Sequence, residues 1–310
     1  MNNTILVAGS INMDMVIKVR AIPKPGETIS GGTFYRAYGG KGANQSVTVS
    51  RLGEKCYFIG RVGRDVFGEE LKENLIKNKV NIDYLVEDKE NPTGIAFITV
   101  DNTGENSIVV APGANSFLSQ DDVRRCLPVI SEARVLLTQL EIPIETVSFS
   151  LELAKKHDII TILNPAPAKE IDPHILSLAD IVTPNESELK TLTGIEPREE
   201  RDVIRAGRKL LEYGVEIVVV TLGSKGAMMI ERDSEFYVPA IKVSAVDTTG
   251  AGDVFNGALA VRLASGDPIE RALKYAVVSA GISVTRRGAQ DSIPTMEEVD
   301  QFIREEMIEL

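Results

Sequence analysis

The chain has 310 residues, 43% of them apolar, with 34 Lys plus Arg against 45 Asp plus Glu and a formal charge of −11. That length buries one large α/β core or two smaller domains, and an acidic chain with no basic tract excludes nucleic acid and anionic membranes as expected partners. Cys56 and Cys126 are the only cysteines, which excludes a disulfide framework and suits a reducing compartment. His157 and His174 stand alone in polar context and are expected at the surface, against a histidine zinc site or a Ser-His-Asp triad. No run approaches the ~18 apolar residues of a membrane span. Residues 1–4 lack the basic start of a signal peptide, so a cytoplasmic protein is expected.

Residues 4–9 form a short apolar run ending in glycine, expected as a buried strand. Apolar and polar residues alternate over 10–19, so Asn12 and Asp14 project from one face of an extended segment. Pro23, Pro25 and Gly26 mark a turn, and 28–38, rich in Thr, Phe and Tyr, reads as further strand. Gly39, Gly40, Lys41, Gly42, Ala43, Asn44 and Gln45 then open a helix that runs to Leu52 and stops at Gly53. This turn fails the dinucleotide fingerprint, because Gln45 stands where a third small residue belongs, and it lacks the Gly-Lys-Ser/Thr of a P-loop. Two readings remain: a polar lining in which Lys41 and Asn44 bond a small ligand, or a helix start that simply needs glycine.

Residues 56–60 read as another strand, and Phe67, Leu71 and Leu75 recur every four residues along the next helix. Gly94–Val100 and Asn106–Ala111 form a hairpin pattern around Asp101, Asn102, Thr103 and Gly104, which pairs with the early β segment into one small sheet. From about Ser119 strands and helices alternate, with strands at 135–139, 159–163, 181–183 and 217–222. That pattern predicts a parallel sheet with crossover helices, a three-layer αβα core. Ligands in such cores sit beyond the carboxyl ends of the strands. Glu141, Asn164, Asn185, Glu188 and the Gly223, Ser224, Lys225, Gly226 turn all fall there. Asn185 and Glu188 also suit a capping box, the 223–226 turn an ordinary hairpin, and Asn164-Pro165 a rigid turn. Glu141, between Leu140 and Ile142, needs a partner or solvent.

The last polar segment, Asp247-Thr248-Thr249-Gly250-Ala251-Gly252-Asp253, runs into a helical pattern. Glycines let N–H groups crowd together, and a helix start adds unpaired donors and a positive dipole end, which makes an anion socket. Asp253 at its rim is either a base for the group being phosphorylated or the N-cap of the helix.

Taken in order, Gly9-Ser10-Ile11-Asn12-Met13-Asp14, Gly39 to Gln45, Asn164-Pro165-Ala166-Pro167-Ala168, Thr183 to Glu188, Thr221 to Gly226 and Asp247 to Asp253 resemble the phosphofructokinase-B (ribokinase) family of sugar kinases across essentially the whole chain. The resemblance implies ATP-dependent phosphorylation of D-ribose at its 5-hydroxyl, with Asp253 as base and the Gly250, Ala251 and Gly252 amides as anion hole. It implies sugar contacts from Asn12, Met13, Asp14, Gly40, Lys41, Gly42, Ala43, Asn44 and Glu141. ATP would lie along Asn185, Thr221, Leu222, Gly223, Ser224, Lys225, Gly226 and Gly252, with Glu188 orienting Mg²⁺ through water. Val277 stands where a related enzyme places a polar ring near the adenine. A potassium ion is implied at Asp247, Thr249, Ser283, Arg286, Gly288 and Ser292, mostly through carbonyls. The implied core comprises 1–12, 39–93 and 111–310, and the implied lid 13–38 and 94–110, which also joins two subunits into a homodimer.

The residue chemistry agrees with a polyol acceptor. A sugar phosphate would call for an arginine cluster, and carboxylates would repel it by about 1 kcal/mol each at 4 Å in water. Fructose, deoxyribose or a nucleoside remain alternative acceptors, the last through Phe34, Tyr35, Tyr38 and Phe97. A sugar- or nucleotide-sensing protein on the same fold is the non-enzymatic alternative, and a dinucleotide oxidoreductase lacks its fingerprint.

Overall fold

The computed structural model describes residues 3–310; residues 1–2, on which the leader expectation partly rests, lie outside them. In chain order the strands are β1 (Thr4–Ala8), β2 (Asn12–Lys18), β3 (Thr33–Gly39), β4 (Cys56–Gly63), β5 (Asn81–Asp88), β6 (Gly94–Val100) and β7 (Asn106–Ala111). They continue as β8 (Ala133–Thr138), β9 (Ile160–Leu163), β10 (Ile181–Val182), β11 (Ile217–Thr221), β12 (Gly226–Ile230) and β13 (Glu235–Pro239).

Strand alternation decides which layer each side chain joins. In β1, Ile5 and Val7 pack with the helices Lys41–Arg51, Val66–Lys77, Ala251–Ala264 and Ile269–Ser283, while Leu6 and Ala8 pack with Ile144–Lys155 and Glu200–Glu212. In β11, Val219 joins the first layer and Val218 and Val220 the second. A sheet covered on both faces needs apolar residues at every position, hence the unbroken apolar runs of these strands. The mixed α/β, three-layer expectation holds.

The large sheet runs β13-β12-β11-β10-β9-β8-β1-β4-β5, parallel from β11 to β5 with an antiparallel edge at β12 and β13. From β1 the chain moves outward to β4 and β5, then returns to β8 and proceeds the other way. The switch between β1 and β8 opens a crevice at their carboxyl ends. The second sheet, β3-β2-β6-β7, stands apart from the first. Only Gly9, Ser10 and Ile11 separate β1 from β2, so one short link carries the chain from the floor of the crevice into the small sheet.

Some boundaries differ from the sequence expectation. The early strand starts at Thr33 rather than residue 28, because Gly31 and Gly32 hold φ of 97° and 110°, outside strand geometry. A Cβ on Gly32 would lie 2.4 Å from the Lys18 carbonyl. β10 shrinks to Ile181–Val182, since the chain turns at once into the Asn185 cap. The edge strand β5 escaped notice because its half-exposed residues lack a clean period. The hairpin of β6 and β7 closes as expected, with Gly104 N–H donating to the Asp101 carbonyl at 3.1 Å. Both cysteines are free and buried, both histidines are exposed, and no helix of the described residues is long and apolar enough to cross a membrane.

Candidate active site

At the switch point, Glu141 has the partner its apolar neighbours require. Ser10 Oγ donates to Glu141 Oε2 at 2.5 Å, and the Lys41 backbone N–H reaches the same oxygen at 3.3 Å. The glycine turn that opens the Lys41–Arg51 helix lies backbone to backbone on the exit of β1. Gly40 has φ 87°, and a Cβ on Gly42 would stand 2.7 Å from Gly9. Glycine is therefore a packing necessity here, and the same approach delivers Lys41, Asn44 and Gln45 to the crevice.

From the small sheet, Asn12 and Asp14 arrive on one face of β2. Asn115 Nδ2 holds Asn12 Oδ1 at 2.8 Å, and the Asp14 carboxyl lies over Gly39, whose added Cβ would meet it at 2.3 Å. Met13, between them, points the opposite way into the apolar core and is 1% exposed, so only its backbone is left near the crevice. Gly42 and Ala43 are likewise buried and contribute backbone.

Asp253 sits in the first turn of Ala251–Ala264, but the N-cap of that helix is Gly250, at φ 77°, and no side chain caps it. The capping alternative for Asp253 therefore fails. Its carboxylate turns inward, 5% exposed, where Asn44 Nδ2 donates to Oδ2 at 2.9 Å and Gln45 Nε2 to Oδ1 at 3.0 Å. Gln45 was the residue that spoiled the dinucleotide fingerprint. A long amide is required there to reach a carboxylate 208 residues away, and no local pattern records that distance. Gln139 Nε2 in turn holds Gln45 Oε1 at 2.5 Å.

The socket is narrower than expected. The Ala251 amide is taken by the Thr248 carbonyl at 3.2 Å, whereas the amides of Gly250 and Gly252 have no partner among the described residues. Gly252 is exposed, and the space where its Cβ would stand is open. Charge accumulates around it. Burial, with Glu141 and Asp253 nearby, pushes the Asp14 carboxyl up to about 7. Burial likewise raises Asp253, against the opposing effect of Lys41 and its two amide donors. For Lys41, burial alone would lower the amine, but Asp253, Glu141 and Glu188 outweigh it and hold it above its ordinary value.

Further along the rim, Asn185 and Glu188 make the reciprocal capping box: Asn185 Oδ1 accepts from the Glu188 amide at 2.8 Å, and both Glu188 oxygens accept from Asn185. Burial raises the Glu188 carboxyl all the same. Asn185 bridges Thr221 at the end of β11. The Gly223–Lys225 turn is the hairpin between β11 and β12, with Gly223, Ser224 and Lys225 exposed, and Leu222 and Gly226 buried. Val277 is 6% exposed within the apolar layer. Asp247 joins two loops: its Oδ1 accepts from Thr249 N–H and Oγ1 at 3.0 and 2.7 Å, and its Oδ2 from Gly288 N–H at 3.0 Å. The Arg286 guanidinium is bound to Glu298, and the Ser283 and Ser292 hydroxyls turn onto the Ala280 and Ala289 carbonyls.

A buried carboxylate beside two open backbone amides, facing a polar cluster across the switch point of a doubly covered sheet, is an arrangement suited to a phosphotransferase for a small polar acceptor. The pfkB family of carbohydrate kinases matches residues 2–296, and the chain belongs to that family. A ribokinase from Haemophilus influenzae is 41% identical over 98% of this chain and 99% of its own length. A deoxyribokinase from Salmonella typhi is 39% identical over 96% and 98%. The structure of Arabidopsis thaliana ribokinase complexed with ribose and ATP superposes with TM-score 0.90 at 33% identity, covering 98% of this chain and 99% of that one.

Proposed function

We propose that this carbohydrate kinase transfers the terminal phosphoryl group of ATP to the 5-hydroxyl of D-ribose, giving ribose 5-phosphate and ADP. The observation that carries the reading is Asp253: buried, raised in pKa, gripped on both oxygens, and seated at the socket formed by Gly250 and Gly252. As the hydroxyl oxygen bonds phosphorus and the bond to ADP breaks, the hydroxyl proton passes to Asp253. A base whose pKa moves toward working pH suits that transfer. The socket amides receive charge on the transferring oxygens, a contribution of about 3–4 kcal/mol for one such donor. Asn12, Asp14, Lys41, Asn44 and Glu141 bond the sugar hydroxyls. Asn185, Thr221, Gly223, Ser224 and Gly226 flank the nucleotide, with Val277 on the adenine side.

Among the described residues no three carboxylate, histidine or cysteine side chains converge as a metal cage. That suits Mg²⁺ bound mainly by phosphate oxygens and water, with Glu188 orienting a water. Mg²⁺ supplies charge neutralisation of the phosphates. For potassium the reading rests on the Asp247 carboxylate, kept below the usual carboxylate range by Gly288 and Thr249 despite its burial. Arg286, committed to Glu298, would give only its carbonyl. The small sheet acts as a lid over the sugar, and its exposed Phe34, Phe97, Ile108 and Val109 make it the face of a homodimer. Buried free thiols fit the cytoplasm.

A second acceptor, 2-deoxyribose, is favoured by the near-equal identity to the deoxyribokinase. A panel of ribose, 2-deoxyribose, fructose and adenosine, read by ADP release, separates them; a preference for anything but ribose overturns the first reading. Asp253→Asn is expected to lower turnover by orders of magnitude with sugar binding largely kept, and unchanged turnover removes Asp253 as base.

A further inference from the structure

Asn44 is itself held from behind. Gln290 Nε2 donates to Asn44 Oδ1 at 3.1 Å, Asn74 Nδ2 to Gln290 Oε1 at 2.6 Å, and Asn78 Nδ2 to Asn74 Oδ1 at 3.2 Å. The series starts at Arg51, whose Nε donates to Asn78 Oδ1 at 2.9 Å. Asn74 and Gln290 are 9% and 3% exposed, so water does not complete their bonding. Each carboxamide has one donating and one accepting end. A guanidinium only donates and an ionised carboxylate only accepts, so the two ends permit a single orientation of all four amides. Every side-chain to side-chain donation along the series runs toward Asp253. A second, shorter arm reaches the other oxygen through Gln139 and Gln45, and there the Gln139 Oε1 is left without a partner. An orphaned buried acceptor costs about 1–3 kcal/mol. The arm keeps the direction that serves the carboxylate even so.

We propose that the series Arg51, Asn78, Asn74, Gln290, Asn44 is a polarised hydrogen-bond relay that fixes the Asp253 carboxylate, with Gln290 and Asn74 as positioning residues for phosphoryl transfer. The proposal rests on Asp253 being the base. Aligned amides polarise one another, so the far members act on the carboxylate through Asn44. Their loss frees Asn44 to rotate and leaves Asp253 with one fixed oxygen.

The test compares Gln290→Leu, Gln290→Glu and Asn74→Leu, each checked for folding by its thermal transition. If Gln290 only fills space, all three variants leave the Asp253 carboxyl titration unmoved, whatever the buried charge of Gln290→Glu costs in stability. If the relay holds, the ionised carboxylate introduced by Gln290→Glu accepts where the amide donated. It turns Asn44 round and presents the Asn44 oxygen to Asp253, so this variant is the more damaging. We expect Gln290→Leu and Asn74→Leu to lower kcat about tenfold, with a smaller rise in the KM for ribose because Asn44 also bonds the sugar. Gln290→Glu should lose about tenfold more. The acid limb of the rate profile should move to higher pH in both leucine variants. Lys41, Asp14, Glu141 and Glu188 also face Asp253, but they are the same in every variant. A carbon NMR titration of the Asp253 carboxyl without ligands reads the relay independently of turnover. An upward shift there with unaltered kinetics would keep the relay and reject Asp253 as base. An unshifted carboxyl, or Gln290→Glu milder than Gln290→Leu, overturns the relay.

Discussion

Replacing Asp14 with Asn should make the unliganded protein more stable near neutral pH. The Asp14 carboxyl has no hydrogen-bond donor beside it among the described residues, and burial with Glu141 and Asp253 pushes it from 3.8 up to about 7. At ~1.4 kcal/mol per pH unit, holding it ionised in the fold costs about 4 kcal/mol at pH 7. Water at its open side reduces that, and we expect about 2 kcal/mol for Asp14→Asn. The sign follows from proton uptake. Between pH 4 and 7 the native carboxyl binds a proton that the unfolded chain has released, so stability falls as pH rises through that window. Asp65, Asp247 and Glu298 are shifted the other way and lose their stabilising effect only as the solution becomes more acidic than their unfolded values. Acidification from pH 7 to 5 therefore isolates the raised groups. Urea unfolding at pH 5, 6, 7 and 8 should show wild type gaining about 2 kcal/mol toward pH 5. Asp14→Asn should gain less and exceed wild type at pH 7. A variant no more stable than wild type at pH 7, with the same slope, refutes the argument.

Gly42→Ala would place a methyl 2.7 Å from the Gly9 backbone, where neither chain has room to yield; a loss of about 2–3 kcal/mol in denaturant unfolding is expected. Asn185→Ala removes a cap worth about 1 kcal/mol and a side-chain donor to Glu188, so the KM for ATP should rise more than that for the sugar. The backbone amide remains, so the size of the KM effect reads the side chain alone. Potassium added to a buffer free of potassium and sodium should raise kcat, and a flat response rejects the Asp247 site. Phe34→Glu, on the exposed face of β3, should shift sedimentation from dimer to monomer, while a wild-type monomer rejects the interface.

The αβα core was legible because β1, β8 and β11 are short apolar runs with both faces covered, and such runs announce themselves locally. The β6–β7 hairpin was legible from its turn, through Asp101 and Gly104, although every residue of β7 is exposed. The start of β3 was missed because a tract of strand-forming residues conceals two glycines whose dihedral angles leave the strand region. Glu141 could be singled out by its position after a strand, Asp14 by alternation along an extended segment, and Asn44 by the glycine turn that opens its helix. Gln45, Gln290 and Asn74 could not, since each acts on a partner contributed by a distant element, and their spacing resembles any polar helix or loop residue. Which amides of the Gly250 socket stay open was equally hidden: it depends on one bond, from Ala251 to Thr248.

β2 leaves the floor of the crevice after three residues and carries Asn12 and Asp14 on a sheet that shares no strand with the body. On the proposed reading, two of the groups that would recognise the acceptor thus sit on a different sheet from the helix that carries Asp253, although Met13 between them packs into the main core. If those roles hold, substitutions at Asn12 and Asp14 would alter acceptor preference without touching the bonds that grip Asp253.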